Sequence, residues 1–273
     1  MNPTSVGTQG LAFAAALVVA DALLSAALGL GIGRALLIGA ARCVVQLLLV
    51  GLVLAVAFGS ASPWLVAGLL AVMFLAATRE IDARQRRRLA GLGGRTLGGM
   101  VAVLATLVTV LPALATLDAA PWWAPQVVIP LAGIALGTVM NGVGIALDGF
   151  TTLVVRERAA IEARLALGAS RAEALRDARR EVMRSGVTHI VNQMAAAGLI
   201  TLPGMMSGQI LAGQPPVEAA KAQIFVLLLL AAATGLGVMG VVALAARRLT
   251  DSRDRLRLDR LVTSKGSAPA RSR

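Results

Sequence analysis

Cysteine is almost missing from this chain. Cys43 stands alone, which excludes a disulfide framework and a thiolate metal site. Histidine also occurs once, at His189, and a lone imidazole does not make a metal centre. Lysine is confined to Lys221 and Lys265, neither in the G-x-x-x-x-G-K-[ST] setting whose backbone cradles phosphates, so the sequence holds no P-loop. Strand-period alternation is absent as well, which excludes a membrane barrel. Charge is sparse, at 15% of residues, against roughly a quarter in a soluble domain.

What is present is apolar. Of 273 residues 57% are hydrophobic, and the mean hydropathy is +0.79. The charges cluster and leave apolar stretches of about 20 residues, the length a helix needs to cross a hydrocarbon core. Seven spans are predicted, at 10–31, 35–57, 63–78, 96–117, 124–148, 188–212 and 219–246. The expected fold is an all-α, multi-pass membrane protein with a transmembrane region over 1–246 and a basic tail over 247–273. That tail reads as a short basic helix fraying into disorder. The N-terminal MNPTSVGTQG lacks the basic region of a signal peptide, so the first span is expected to be retained.

The formal net charge is +12. All but two of the 26 basic residues fall at Arg34, in 79–95, in 156–184 or in 247–273; the exceptions are Arg42 and Lys221. The intervening loops GSAS, LDAAPWW and GQPPVE contain none. This asymmetry predicts an N-out, C-in orientation and an odd number of spans. The basic excess is therefore a topology signal and an attraction to anionic lipid, not a nucleic-acid surface.

Residues 157–184, ERAAIEARLALGASRAEALRDARREVMR, form an amphipathic cationic stretch between two spans. Ile161, Leu165, Gly168, Ala172, Leu175 and Val182 recur at steps of three and four as one apolar stripe, interrupted by Arg179. Gly168 is suited to end a helix in the left-handed conformation, and Ser170 with Glu173 has the spacing of a capping box. A helix, a glycine turn and a second helix are expected at the inner mouth of the bundle. Three roles compete: a helix lying on anionic lipid, a plain connection, and a docking element for a soluble partner.

Glu162-Ala163-x-x-x-x-Gly168 resembles the EAA loop of ABC-transporter permeases, the coupling helix that enters a cleft of the ATPase subunit; Arg164 replaces that loop's second alanine. ARCVVQLLLVGLVL (41–54), GTVMNGVGIALDGF (137–150), IEARLALGAS (161–170) and GLITLPGMMSGQILAG (198–213) together, in this order, resemble the FetB-type permeases. That group is implicated in iron export and includes the plant aluminium-tolerance membrane proteins. The resemblance implies a permease subunit in the plasma or inner membrane, half of a homodimer completed by separate ATPase subunits. ATP would be bound by the partner and no cofactor by this chain, with iron or a related metal ion as exported cargo. Glu162, Ala163, Gly168, Ser170 and Glu173 would carry the coupling.

Polar residues within the spans are the candidates for the pathway. Asp21, Arg42 and Gln46 fall at similar depth in the first two spans, as a structural pair or as pathway groups. In the fifth span Gly137, Asn141, Gly144 and Asp148 share a face, either a packing seam or a cavity wall. The sixth carries Asn192, then Pro203 and Gly204, expected to kink the helix, beside Met205, Met206 and Gln209. The thioethers suit soft ions and accept iron(II) weakly, yet methionine also fills gaps in packed helices. The reading from a different class is a gradient-driven cation transporter or channel using Asp21 and Asp148.

Overall fold

The computed structural model describes residues 7–60, 62–117, 121–251 and 253–263. It is helical almost throughout, with six helices long and apolar enough to cross a membrane. The chain divides into two compact units, Met1–Ser62 and Pro63–Arg273.

The first unit is a hairpin of α1 (Thr8–Ala27) and α2 (Gly33–Ser60). Its turn is held by Ser25, which is buried and whose Oγ accepts the backbone N–H groups of Ile32 and Gly33 at 3.2 and 3.0 Å. One hydroxyl thus satisfies two donors that helix α2 cannot bond within itself.

The second unit contains α3 (Pro63–Arg84), β1 (Arg87–Leu89), α4 (Leu92–Arg95), α5 (Leu97–Ala115), α6 (Pro125–Arg156), α7 (Arg158–Ala166), α8 (Arg171–Ala174), α9 (Arg176–Ala196), α10 (Gly204–Leu211), α11 (Pro216–Arg248) and β2 (Leu261–Thr263). The paired helices α6 and α11 form its centre, with α3, α5 and α9 packed around them. The seam is built mostly from small and β-branched side chains: Val139, Val143 and Ala146 of α6, with the larger Phe150, face Ala233, Val238, Val241 and Val242 of α11, all fully buried. In a membrane no hydrophobic force draws helices together, so close packing of such residues has to do it. Gly142 of α6 also lies close against Gly186 of α9. A Cβ on Gly142 would lie 2.8 Å from the Gly186 carbonyl oxygen and 2.7 Å from Thr234 Cγ2.

Three expectations are corrected. No continuous helix covers 188–212. α9 begins within the charged stretch and ends at Ala196, and Ala197–Pro203 is non-helical before α10. Within the break Gly198 donates to the Thr201 carbonyl at 2.9 Å, a local closure that the apolar sequence GLIT hides from a hydropathy average. Second, the third and fifth spans run on beyond 78 and 148, to Arg84 and Arg156. Third, the tail is not a basic helix: after α11 it turns at Asp251, passes through a short 3-10 turn at Leu258–Arg260 and adds β2 antiparallel to β1, with Leu89 opposite Leu261. Residues 264–273 lie outside the described residues.

Candidate coupling element and pathway residues

Helix α7 ends where expected. Gly168 has φ +91°, its N–H donates to the Leu165 carbonyl at 3.0 Å, and the Ala169 N–H reaches back to the Arg164 carbonyl at 3.1 Å. These two bonds satisfy carbonyls at the helix end in the pattern that a left-handed glycine permits. Ser170 then opens α8: its Oγ accepts the Glu173 N–H at 3.4 Å, while the Glu173 carboxylate accepts the Ser170 N–H at 2.8 Å and hydroxyl at 2.7 Å. These donors, the hydroxyl first, hold the Glu173 carboxyl below its ordinary range.

The stripe read across 161–182 is only partly buried. Ile161, Leu175 and Val182 are in the core and Leu165 is half-buried, but Gly168 and Ala172 are exposed and Ala174 and Ala178 take their places. The glycine turn resets the helical phase, so one periodicity cannot pass through it. The result is a hairpin fixed at its base and open at its tip. Ile161 and Leu175 are 2% and 1% exposed, whereas Leu167 at the tip is 89% exposed and a Cβ added at Gly168 would meet nothing within 4 Å. Across the hairpin Arg164 Nη1 pairs with Asp177 Oδ2 at 2.9 Å, and Glu162 accepts from Arg158 Nε at 2.8 Å. Ala163, on the same turn as Glu162, is exposed.

The face of α6 carrying Asn141, Gly144 and Asp148 meets the end of α3. Arg84 Nη1 donates to Asn141 Oδ1 at 3.1 Å, Gln85 Nε2 to the Gly144 carbonyl at 3.2 Å, and the Arg86 N–H to Asp148 Oδ1 at 2.8 Å. Three of the four stripe residues are thus engaged by consecutive residues of one connector. Arg84, Gln85 and Arg86 fall outside a third span that stops at 78; the Glu80–Arg84 pair at i,i+4 is the sequence signal for a longer helix. Asp148 also lines a pocket of about 380 Å³ with Thr152, Glu181 and Ser185.

At the other end of α6 a pocket of about 310 Å³ is lined by Gln126, Pro130, Met205, Gln209 and Phe225, among others. Gln209 Oε1 is buried there without a protein hydrogen-bond partner. Met206 is half-buried and outside this lining, and Asn192 is exposed on α9. Gln126, close to the start of α6, gives no sequence signal. Pro203 does not kink a helix: it precedes α10 with φ −60°, and its carbonyl accepts the Ser207 N–H at 3.0 Å, while Gly204 is the first residue of α10. In the α1–α2 hairpin Asp21, Arg42 and Gln46 have exposed side chains, and the buried polar group is Ser25. Among the described residues no three His, Cys, Asp or Glu side chains gather into a metal cluster.

The profile of the uncharacterised protein family UPF0014 matches residues 8–250. A UPF0014 membrane protein of Synechocystis is 33% identical, over 84% of this chain and 88% of its own length. The probable iron export permease protein FetB of Escherichia coli is 30% identical, over 94% of this chain and 97% of its own. The protein ALUMINUM SENSITIVE 3 of Arabidopsis thaliana is 29% identical, over 78% and 77%. No solved structure matches. With a profile match over nearly all of the described chain and relatives matched along most of their length, the resemblance read from four motifs is borne out: this multi-pass membrane protein belongs to the UPF0014 family.

Proposed function

We propose that this chain is the permease subunit of an ABC transporter that exports iron or a related metal ion, working as a homodimer with separate ATPase subunits. One observation carries the reading: the α7–α8 hairpin is anchored in the core through Ile161 and Leu175 and presents an open tip at Leu167 and Gly168. A surface-lying helix would turn its apolar side to lipid, whereas here that side is spent on the bundle. The tip remains for a partner. The name of the E. coli relative supports export of iron as the cargo.

The arrangement of arginines supports an N-out, C-in topology with the hairpin in the cytoplasm. The chain must then cross between 184 and the GQPPVE loop, and the broken α9–α10 element is the crossing. Residues 185–196 rise about 18 Å and the eight residues of α10 about 12 Å, together close to the ~30 Å core. α9 borders the inner half of α6 and α10 the pocket at its opposite end, as such a crossing requires.

The test is co-expression with candidate ATPases, followed by cross-linking from a cysteine placed at Leu167 in a Cys43→Ser background. The expected outcome is a cross-link to one ATPase, whose ATP hydrolysis rises with the permease and falls when the tip is blocked. A permease that lowers cellular metal without any ATPase, in cells energised only by an ion gradient, would favour the gradient-driven alternative.

A further inference from the structure

Three arginines from three helices converge on one pocket at the inner end of α11. Arg171 of α8, Arg179 of α9 and Arg247 of α11 line a space of about 210 Å³ with Ala172, Ala243 and Ala246. No carboxylate lines it. Arg171 Nε has Asp254 Oδ1 at 3.8 Å, a loose and partly exposed pair. Arg179 and Arg247 have no hydrogen-bond or ion-pair partner among the described residues, and Arg179 Nε is buried. A buried guanidinium nitrogen without an acceptor is costly, and three like charges around one space repel one another.

We propose that this pocket binds a phosphate group, in the first instance that of an anionic phospholipid headgroup. Guanidinium forks match phosphate oxygens in geometry, and an anion here would give Arg179 Nε its acceptor while offsetting the repulsion. The alanines leave room beside α11 and bring no competing side-chain acceptor. The location favours lipid as the source. Arg247 follows the apolar run of α11 directly, at the height where headgroups meet a helix that crosses the bilayer, and basic pockets between helices at that level suit anionic headgroups. Because Arg171 is the first residue of α8 and Arg179 lies on α9 one turn beyond Leu175, an occupied pocket would tie that hairpin to α11.

The experiment uses the full-length protein in neutral detergent. Thermal unfolding and native mass spectrometry are recorded with added phosphatidylglycerol, with phosphatidylcholine, and with inorganic phosphate. Wild type is compared with Arg179→Gln and with the exposed Arg247→Gln. Phosphatidylglycerol is expected to bind and raise the melting temperature where phosphatidylcholine does not, with affinity falling about tenfold for each arginine removed. Binding of inorganic phosphate with the same arginine dependence would keep the site and make free phosphate its ligand. Phosphatidylglycerol binding equally to wild type and to a monodisperse Arg247→Gln, or no binding of either phosphate source, would overturn the proposal.

Discussion

Replacing Gly168 by valine isolates the turn from everything around it. A Cβ at this position meets nothing within 4 Å, so the substitution causes no collision. The whole cost lies in the backbone: φ is +91°, a region that costs an L-residue about 1–2 kcal/mol, and a β-branched side chain more. That is small beside a domain stability of about 5–15 kcal/mol, so the bundle should insert and melt nearly as wild type does. Locally it is large, since it shifts the turn away from its native form by a factor of about 5–30. Stimulation of the ATPase proposed as partner should fall by a similar factor in proteoliposomes. Gly168→Asn should fall less, because asparagine tolerates the left-handed region. Unchanged ATP-driven transport in Gly168→Val, with the protein properly inserted, would refute the assignment of this turn to coupling.

Other substitutions probe other links. Gly142→Val should destabilise by about 1–3 kcal/mol or more, because its first carbon already meets the Gly186 carbonyl and Thr234; Gly137→Val, on the same helix with open space, should be tolerated, and equal melting temperatures for the two would contradict the packing described. Ser170→Ala removes the hydroxyl half of the capping box, leaving the backbone N–H of residue 170 to donate to Glu173, and should cost about 0.5–2 kcal/mol, read as faster amide exchange over 170–175 with the transmembrane helices unaffected. In the tail the Arg255 N–H, followed by its side chain and the Arg253 N–H, pulls the Asp251 carboxyl down to about 2. A depressed acid contributes stability above its unfolded value, about 4, and loses it as pH falls through the folded value. Protection of the Arg253 and Arg255 amides should therefore be full above about pH 4 and drop towards about 2, and Asp251→Asn should abolish that pH step.

The parts of the structure legible in the sequence are those fixed locally. Gly168 and the Ser170–Glu173 pair define their turn through bonds reaching five residues or fewer, so spacing alone reveals them. The six long apolar helices are equally readable, because length and hydropathy set them. What escapes depends on distant partners or on averages that mask a turn. β2 exists because Leu261 faces Leu89, far back in the chain, and nothing in DRLVT announces that partner. The break after Ala196 lies within residues as apolar as the helices on either side. The role of Asp148 needs Arg86, which lies beyond the expected end of its helix.

Helix α9 joins the two regions where function is proposed, and its packing determines what it can transmit. At one end the exposed Asp177 is paired with Arg164 of the α7–α8 hairpin, and the neighbouring Leu175 and Ala178 are buried. At the other, the chain passes through the break to α10, whose Met205 and Gln209 line the pocket beside the start of α6. Between them Gly186 lies against Gly142, where a Cβ on Gly142 would fall 2.8 Å from the Gly186 carbonyl oxygen and one on Gly186 3.0 Å from that of Gly142, with Val238 and Ala146 packed beside them. Gly186 lies ten residues from each end of α9, about 15 Å either way at 1.5 Å per residue. If the hairpin moves with the ATPase proposed as its partner, such a contact would act as a pivot with equal arms. A displacement of the hairpin then returns as an opposite displacement of similar size at the break. Ala197–Pro203 is held by a few local bonds, the Ile200 and Thr201 N–H groups on the Ala196 carbonyl and the Gly198 N–H on the Thr201 carbonyl, in place of a continuous helical ladder, so the motion would be taken up there rather than passed intact to α11. Under the proposed function the broken crossing would let α10 move against the α6–α11 core, which a seventh continuous helix would not allow.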